Sequence, residues 1–141
     1  MAKSYLVPVD FSKGSDIALD YALKLAKEDG ARVVLLHVIS ADFAFPLEVG
    51  FSDIFQMLEE SAAESMRALI RRKRLKPGQF RSMLVRGVNP AEIIAATAQK
   101  LAAAMIVMGS HGRTGFRRFM IGSVAERTLR RSQCPVLIVK K

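Results

Sequence analysis

The chain has 141 residues, half of them hydrophobic and a quarter charged, a composition that excludes a disordered chain and fits one domain able to bury a full core. Its single cysteine, Cys134, cannot form an internal disulfide and points to a reducing cytoplasm; the N-terminal apolar run meets Asp10 before it is long enough for a signal-peptide core, and no other run approaches a membrane span. The net charge of +9 makes attraction to nucleotide phosphates, nucleic acid or anionic lipid plausible without selecting among them.

Ser4 to Val9 is a short apolar segment closed by Asp10, and it reads as a first, central strand. Pro8 would break a ladder bond there, which is tolerable only where a strand is finishing. Ser12 to Ser15 offer several caps for a helix reaching Asp29, with Ala18, Leu19, Ala22, Leu23, Leu25 and Ala26 on its apolar face and Gly30 as its terminator. Arg32 to Ile39 follows as a near-continuous apolar strand, suited to burial on both faces. A helix between two short strands implies a βαβ unit.

Ser40 to Ser52 carries Phe43, Phe45 and Phe51 and is too aromatic for a plain linker. It either folds over a crevice at the end of the second strand or packs on the neighbouring helix. Asp53 to Arg74 has Ile54, Met57, Leu58, Ala62, Met66, Leu69 and Ile70 at helical spacing, with Pro77-Gly78 as the stop, so its methionines read as core filler. Arg67, Arg71, Arg72, Lys73, Arg74 and Lys76 gather near its end, where cations complement the helix dipole. Phe80 to Val85 mixes polar and apolar residues, as a sheet-edge strand does.

Asn89-Pro90-Ala91-Glu92 is a strong helix opening, and the helix continues to about Ala103. The apolar run Ala104 to Met108 then stops at Gly109, and glycines recur at Gly112, Gly115 and Gly122, as in a loop wrapped around a ligand. Ser123 and Glu126 form a Ser-x-x-Glu capping box that would open a helix from Val124 to Arg131. Its unpaired amides and positive dipole end make a ready anion site, to which Arg113 could add a cation. Val136 to Val139, introduced by Pro135, is the last strand. Five strands with intervening helices predict an α/β fold with an open, doubly wound parallel sheet.

Neither a Walker motif nor a Gly-x-Gly-x2-Gly after the first strand is present, which excludes a standard P-loop NTPase and a dinucleotide dehydrogenase. What is present is Gly109-x2-Gly112-x9-Gly122-Ser123, flanked by an apolar strand and by Cys134-Pro135-Val136-Leu137-Ile138-Val139. That spacing resembles the ATP-binding branch of the universal stress protein (UspA) family. Leu6-Val7-Pro8-Val9-Asp10-Phe11-Ser12 and Leu35-Leu36-His37-Val38-Ile39 are similar to the family's other recurring stretches, so the resemblance spans the chain.

The resemblance implies a Rossmann-like sheet in the order 3-2-1-4-5, with the ligand at the switch point between the first and fourth strands. It implies ATP, ADP or AMP as ligand; magnesium is conceivable through the nucleotide phosphates, which would require few protein ligands. Asp10 would accept from the ribose hydroxyls, although by itself it reads as a helix cap or turn residue. Val38 would meet the adenine edge through its main chain, and Pro8, Val9 and Met108 would supply apolar walls; in isolation all four are simply core. Gly109, Ser110, His111, Gly112, Arg113 and Thr114 would line the phosphates through backbone amides, and Gly122, Ser123 and Val124 would close the site. Ser123 also reads as an N-cap, a role compatible with a nearby phosphate. Pairing of the last strand with its counterpart in a second copy, hence a homodimer, is implied in the same way.

His111 has no nucleophile and orienting acid in recognisable spacing, so hydrogen bonding to phosphate is its expected role. His37, inside a strand, reads as a satisfied core residue. The histidines and the cysteine are too far apart in sequence for a structural zinc site. The expected function is a cytoplasmic adenine-nucleotide-binding regulatory protein with an unidentified protein partner. The alternatives are a slow ATPase or phosphoryl-transfer enzyme using the same pocket, for which Arg113, Arg117 and Arg118 have no evident geometry, and a non-specific nucleic-acid binder driven by charge.

Overall fold

A computed structural model describes residues 3–40, 51–111 and 121–140. The described elements are β1 (Ser4–Pro8), α1 (Lys13–Asp29), β2 (Arg32–Ile39), α2 (Phe51–Arg72), β3 (Phe80–Arg86), α3 (Pro90–Lys100), β4 (Met105–Gly109), α4 (Ser123–Arg131) and β5 (Val136–Val139). All strands are parallel, in the order β3-β2-β1-β4-β5. The mixed polarity of β3 and the shortness of β5 belong to the two edges.

Strand alternation divides the core into two layers. Tyr5, Val7, Val33, Leu35 and Val107 point one way and pack with Ala18, Leu19, Ala22 and Ala26 of α1 and Met66 and Leu69 of α2. Leu6, Val34, Leu36, Ile106 and Met108 point the other way, onto Ile94 and Ala98 of α3 and Ala125 of α4. Helices on both faces are what continuous apolar strands require.

The expected α1 signals work as read. Ser12 is the N-cap and accepts from the Ser15 amide, while Gly30 ends the helix at φ 65° in the left-handed region. Several boundaries differ. The second helix runs from Phe51 to Arg72 and stops two residues early, because Arg74 turns at φ 52°. The third ends at Lys100 rather than near Ala103, and Ala102 has φ 50°. The fourth strand runs one residue later, from Met105 to Gly109. Met57, expected in the core, is 67% exposed, whereas Met66 is buried. The basic end of α2 is also less freely solvated than its composition implies: Arg72 pairs with Asp16 at 2.7 Å and Lys73 with Asp20 at 2.9 Å, tying α2 to α1.

The last helix corrects the sequence reading most. It begins at Ser123 with Gly122 as N-cap, a residue with no side chain to offer the first amides. The expected capping box is therefore absent: Ser123 already stands at the first helical position, and Glu126 instead accepts from Arg130 at 3.0 Å. The reason is that the Gly122 amide donates to the Ser110 carbonyl at 2.6 Å, which fixes the start of the helix one residue earlier.

Candidate functional site

The carboxyl ends of β1 and β4 lie side by side at the centre of the sheet, where the chain reverses its winding direction. β1 delivers Pro8, Val9 and Asp10 to this edge, and β4 delivers Gly109, Ser110 and His111. α1 starts between them. Its first turn brings Gly14 against β4 so closely that a Cβ on Gly109 would lie 2.7 Å from the Gly14 carbonyl oxygen. A Cβ on Gly14 would overlap the His111 carbonyl.

Ser110 and Gly122 form a neck. The Ser110 amide donates to the Val139 carbonyl at 3.1 Å, and the Ser110 carbonyl receives the Gly122 amide. One backbone bond thus joins the end of β4 to the start of α4. Ser110 is buried, and its hydroxyl shares a 3.0 Å hydrogen bond with His111 Nδ1. His111 Nε2 is buried and has no partner among the described residues. A buried polar atom without a partner costs free energy, and such an atom at a sheet switch point is an opening for a ligand.

Asp10 performs the turn role that its residue type allows. Its Oδ1 accepts from the Ser12 amide at 3.0 Å and from the Ser12 hydroxyl, an Asx turn that leads into the α1 cap. Its own amide donates to the buried Ser15 hydroxyl at 3.4 Å. Phe11, the next residue, has φ 65°, a strained value for an aromatic residue.

The expected apolar walls do not all share one side. Val9 belongs to the α1 and α2 layer, whereas Val38 and Met108 belong to the α3 and α4 layer, the face that Pro8 shares with Leu6 by alternation. Gly122, Ser123 and Val124 gather at the neck. Gly112, Arg113 and Thr114 lie outside the described residues, as does the aromatic stretch 41–50. His37 is half-buried rather than deep in the core, and it is satisfied: its Nδ1 meets the Val9 carbonyl at 2.7 Å. Sequence reasoning missed Gly14, Ser12, Ser15 and Phe11 as parts of this edge. Only the similarity of the stretch running through Ser12 to a known motif pointed near them.

No group of three or more metal-ligating side chains occurs among the described residues, and none of the described helices is long and apolar enough to cross a membrane. Against known families, the model of the universal stress protein family matches residues 1–140. The chain belongs to the universal stress protein family. It is 34% identical to universal stress protein MJ0531 of Methanocaldococcus jannaschii, over 99% of this chain and 82% of the relative. MJ0577 of the same organism is 31% identical over 100% of this chain and 96% of its own. The solved structure of MJ0577 superposes with a TM-score of 0.86, covering 100% of this chain and 97% of that one. The universal stress protein of Archaeoglobus fulgidus in complex with dAMP shares the fold at 24% identity, with a TM-score of 0.64 over 99% and 98% of the two chains.

Proposed function

We propose that this universal stress protein is a cytoplasmic regulatory module that binds an adenine nucleotide, ATP foremost, in the crevice between β1 and β4. The observation that carries the reading is the neck. It places a helix start whose N-cap is a glycine next to a loop base whose histidine holds a buried nitrogen without a partner among the described residues. A helix N-terminus with a glycine N-cap offers amides and a positive dipole end to an anion. If the Ser110 hydroxyl donates to His111 Nδ1, the ring carries its proton on Nε2, a donor suited to a phosphate oxygen. Both features match the chemistry of a polyphosphate.

In this reading Gly109, Ser110, His111, Gly112, Arg113 and Thr114 line the phosphates, with Gly122, Ser123 and Val124 closing the pocket. Pro8, Val38 and Met108 flank the base on the α3 side, and Val9 supports β1 from behind. A carboxylate accepts through two oxygens with about four lone-pair sites, so the bonds from Ser12 are compatible with Asp10 also receiving ribose hydroxyls. Magnesium would be carried by the phosphates, since the described residues provide no cluster of protein ligands. The Archaeoglobus fulgidus complex with dAMP supports the ligand class through the shared fold. A second copy of the chain pairing along β5 would make the working form a homodimer.

Titration calorimetry with ATP, ADP and AMP, with and without magnesium, tests the reading on nucleotide-stripped protein and on Gly122→Val. Gly122 has φ −62°, so valine meets no backbone strain there and acts by filling the pocket. Binding by the parent and a loss of at least about tenfold in the folded variant is the expected result. Absence of binding by folded parent protein overturns the proposal.

A further inference from the structure

His37 grips both neighbours of Asp10. A carbonyl oxygen can only accept, so the 2.7 Å contact between His37 Nδ1 and the Val9 carbonyl requires a proton on Nδ1. On the other side of Asp10, the Phe11 ring packs on the imidazole with centroids 4.6 Å apart and planes tilted by 38°. Phe11 has the left-handed φ of 65°, a conformation that persists only where surrounding contacts impose it. The hydrogen bonds to Ser15 and Ser12 complete the enclosure, so β2 and α1 hold the Asp10 peptide from two directions.

We infer that His37 is a positioning residue that aims Asp10, and thereby sets how strongly the site distinguishes a ribonucleotide from a nucleotide lacking sugar hydroxyls. The inference rests on the nucleotide reading given above. Its physical basis is that a carboxylate discriminates between sugars only if its oxygens are held where the hydroxyls arrive. Asp10 follows directly on the strand end, and its direction is set by the peptides on either side of it. A histidine whose Nδ1–H fixes the preceding carbonyl and whose ring face fixes the following side chain controls both. An aliphatic residue at position 37 fills space but holds neither in the same way.

The test compares ATP with 2′,3′-dideoxyATP on the parent, His37→Leu, His37→Asn and Asp10→Asn. Hydrogen bonds to a charged group predict that the parent binds ATP about tenfold tighter than the dideoxy compound. His37→Leu brings the two affinities within about twofold, by loss on the ATP side alone. His37→Asn, whose amide nitrogen stands close to the place of Nδ1, retains most of the discrimination, and Asp10→Asn loses it.

A folded His37→Leu variant with undiminished discrimination overturns the inference while leaving nucleotide binding intact. So does a parent that binds both compounds equally. A parent that binds neither overturns the nucleotide reading itself. A second measurement needs no variant and no ligand: nitrogen-15 spectra of the parent imidazole must show a proton on His37 Nδ1 coupled through the hydrogen bond to the Val9 carbonyl. An unprotonated Nδ1 overturns the positioning role even if His37→Leu fails to fold.

Discussion

Gly109 and Gly14 meet backbone to backbone, with a Cβ on Gly109 projecting to 2.7 Å from the Gly14 carbonyl oxygen and 2.8 Å from its carbonyl carbon. Neither atom belongs to a side chain that can turn away, so relief requires moving α1 relative to β4. Overpacking of this kind costs about 1–3 kcal/mol. For Gly14→Ala the sign is a contest, since alanine inside a helix gains about 1 kcal/mol over glycine. Contact with the His111 carbonyl decides it as destabilising. Both alanine variants should lower the urea midpoint, and both should weaken nucleotide binding beyond what their stability loss explains, because the displaced atoms form the base of the loop. A variant as stable as the parent would show that α1 and β4 can separate freely.

The sheet was legible in the sequence because its strands are short, apolar and punctuated. Val33 to Leu36 leaves no face for water, and Asp10 and Gly109 end their strands abruptly. Its order was not legible: alternation says which way Leu6 points and nothing about which strand lies beside β1. That came from the resemblance of three motifs. The helix signals succeeded at Ser12, where the hydroxyl reaches the Ser15 amide, and failed at Ser123, where a backbone bond between Gly122 and Ser110 fixed the start instead. Local capping preference is worth about 1 kcal/mol and yields to a tertiary contact of similar size. Gly14 carried no signal at all, since a glycine in a first helical turn is ordinary until the strand opposite it is known.

Tyr5 and Asp29 link the start of β1 to the end of α1. The Tyr5 hydroxyl donates to Asp29 Oδ2, and this bond, with partial desolvation and the nearby negative charge, raises the phenol above its ordinary 10.0. A raised folded value means that the folded state holds the proton more tightly than the unfolded chain. The associated stability is therefore complete below 10.0 and is lost as pH rises through the higher folded value. Tyr5→Phe should cost about 0.5–1.5 kcal/mol near neutral pH and flatten the alkaline limb of stability against pH. An unchanged limb in denaturant titrations above pH 10.0 would remove Tyr5 as its source.

Arg86 closes the outer edge of the sheet by bonding Glu59 at 2.5 Å and lying 5.3 Å from the centre of the Phe55 ring. The hydrogen bond from Arg86 lowers the Glu59 carboxyl below its ordinary 4.5, outweighing partial desolvation. A lowered folded value gives stability that is present above 4.5 and disappears as pH falls through that lower value. Both groups face water, so the contribution is small and screened by salt. Glu59→Gln should differ slightly from the parent near neutral pH and low salt. The difference should vanish both in acid and at about 1 M salt, where the Debye length falls to about 3 Å. Thermal melts across these conditions check it.

Register along β5 shows which backbone groups a second copy would meet. The Ile106 amide donates to the Pro135 carbonyl and the Ser110 amide to the Val139 carbonyl. Parallel pairing alternates, so the groups of Leu137 also face β4, and those of Val136 and Ile138 face outward. An apolar edge of this kind is a template for pairing. Ile138→Pro removes an outward amide while leaving every bond to β4, a placement that an edge strand tolerates. Ile138 also packs against the α3 and α4 layer, so the substitution should cost about 1–2 kcal/mol of stability. If β5 carries the dimer, light scattering should give a dimeric mass for the parent and a monomeric, folded mass for Ile138→Pro. Asp20→Asn, on the α1 surface that faces α2, should remain dimeric and serves as the control. A monomeric parent at high concentration would eliminate the β5 dimer, and a dimeric Ile138→Pro would move the interface to another face.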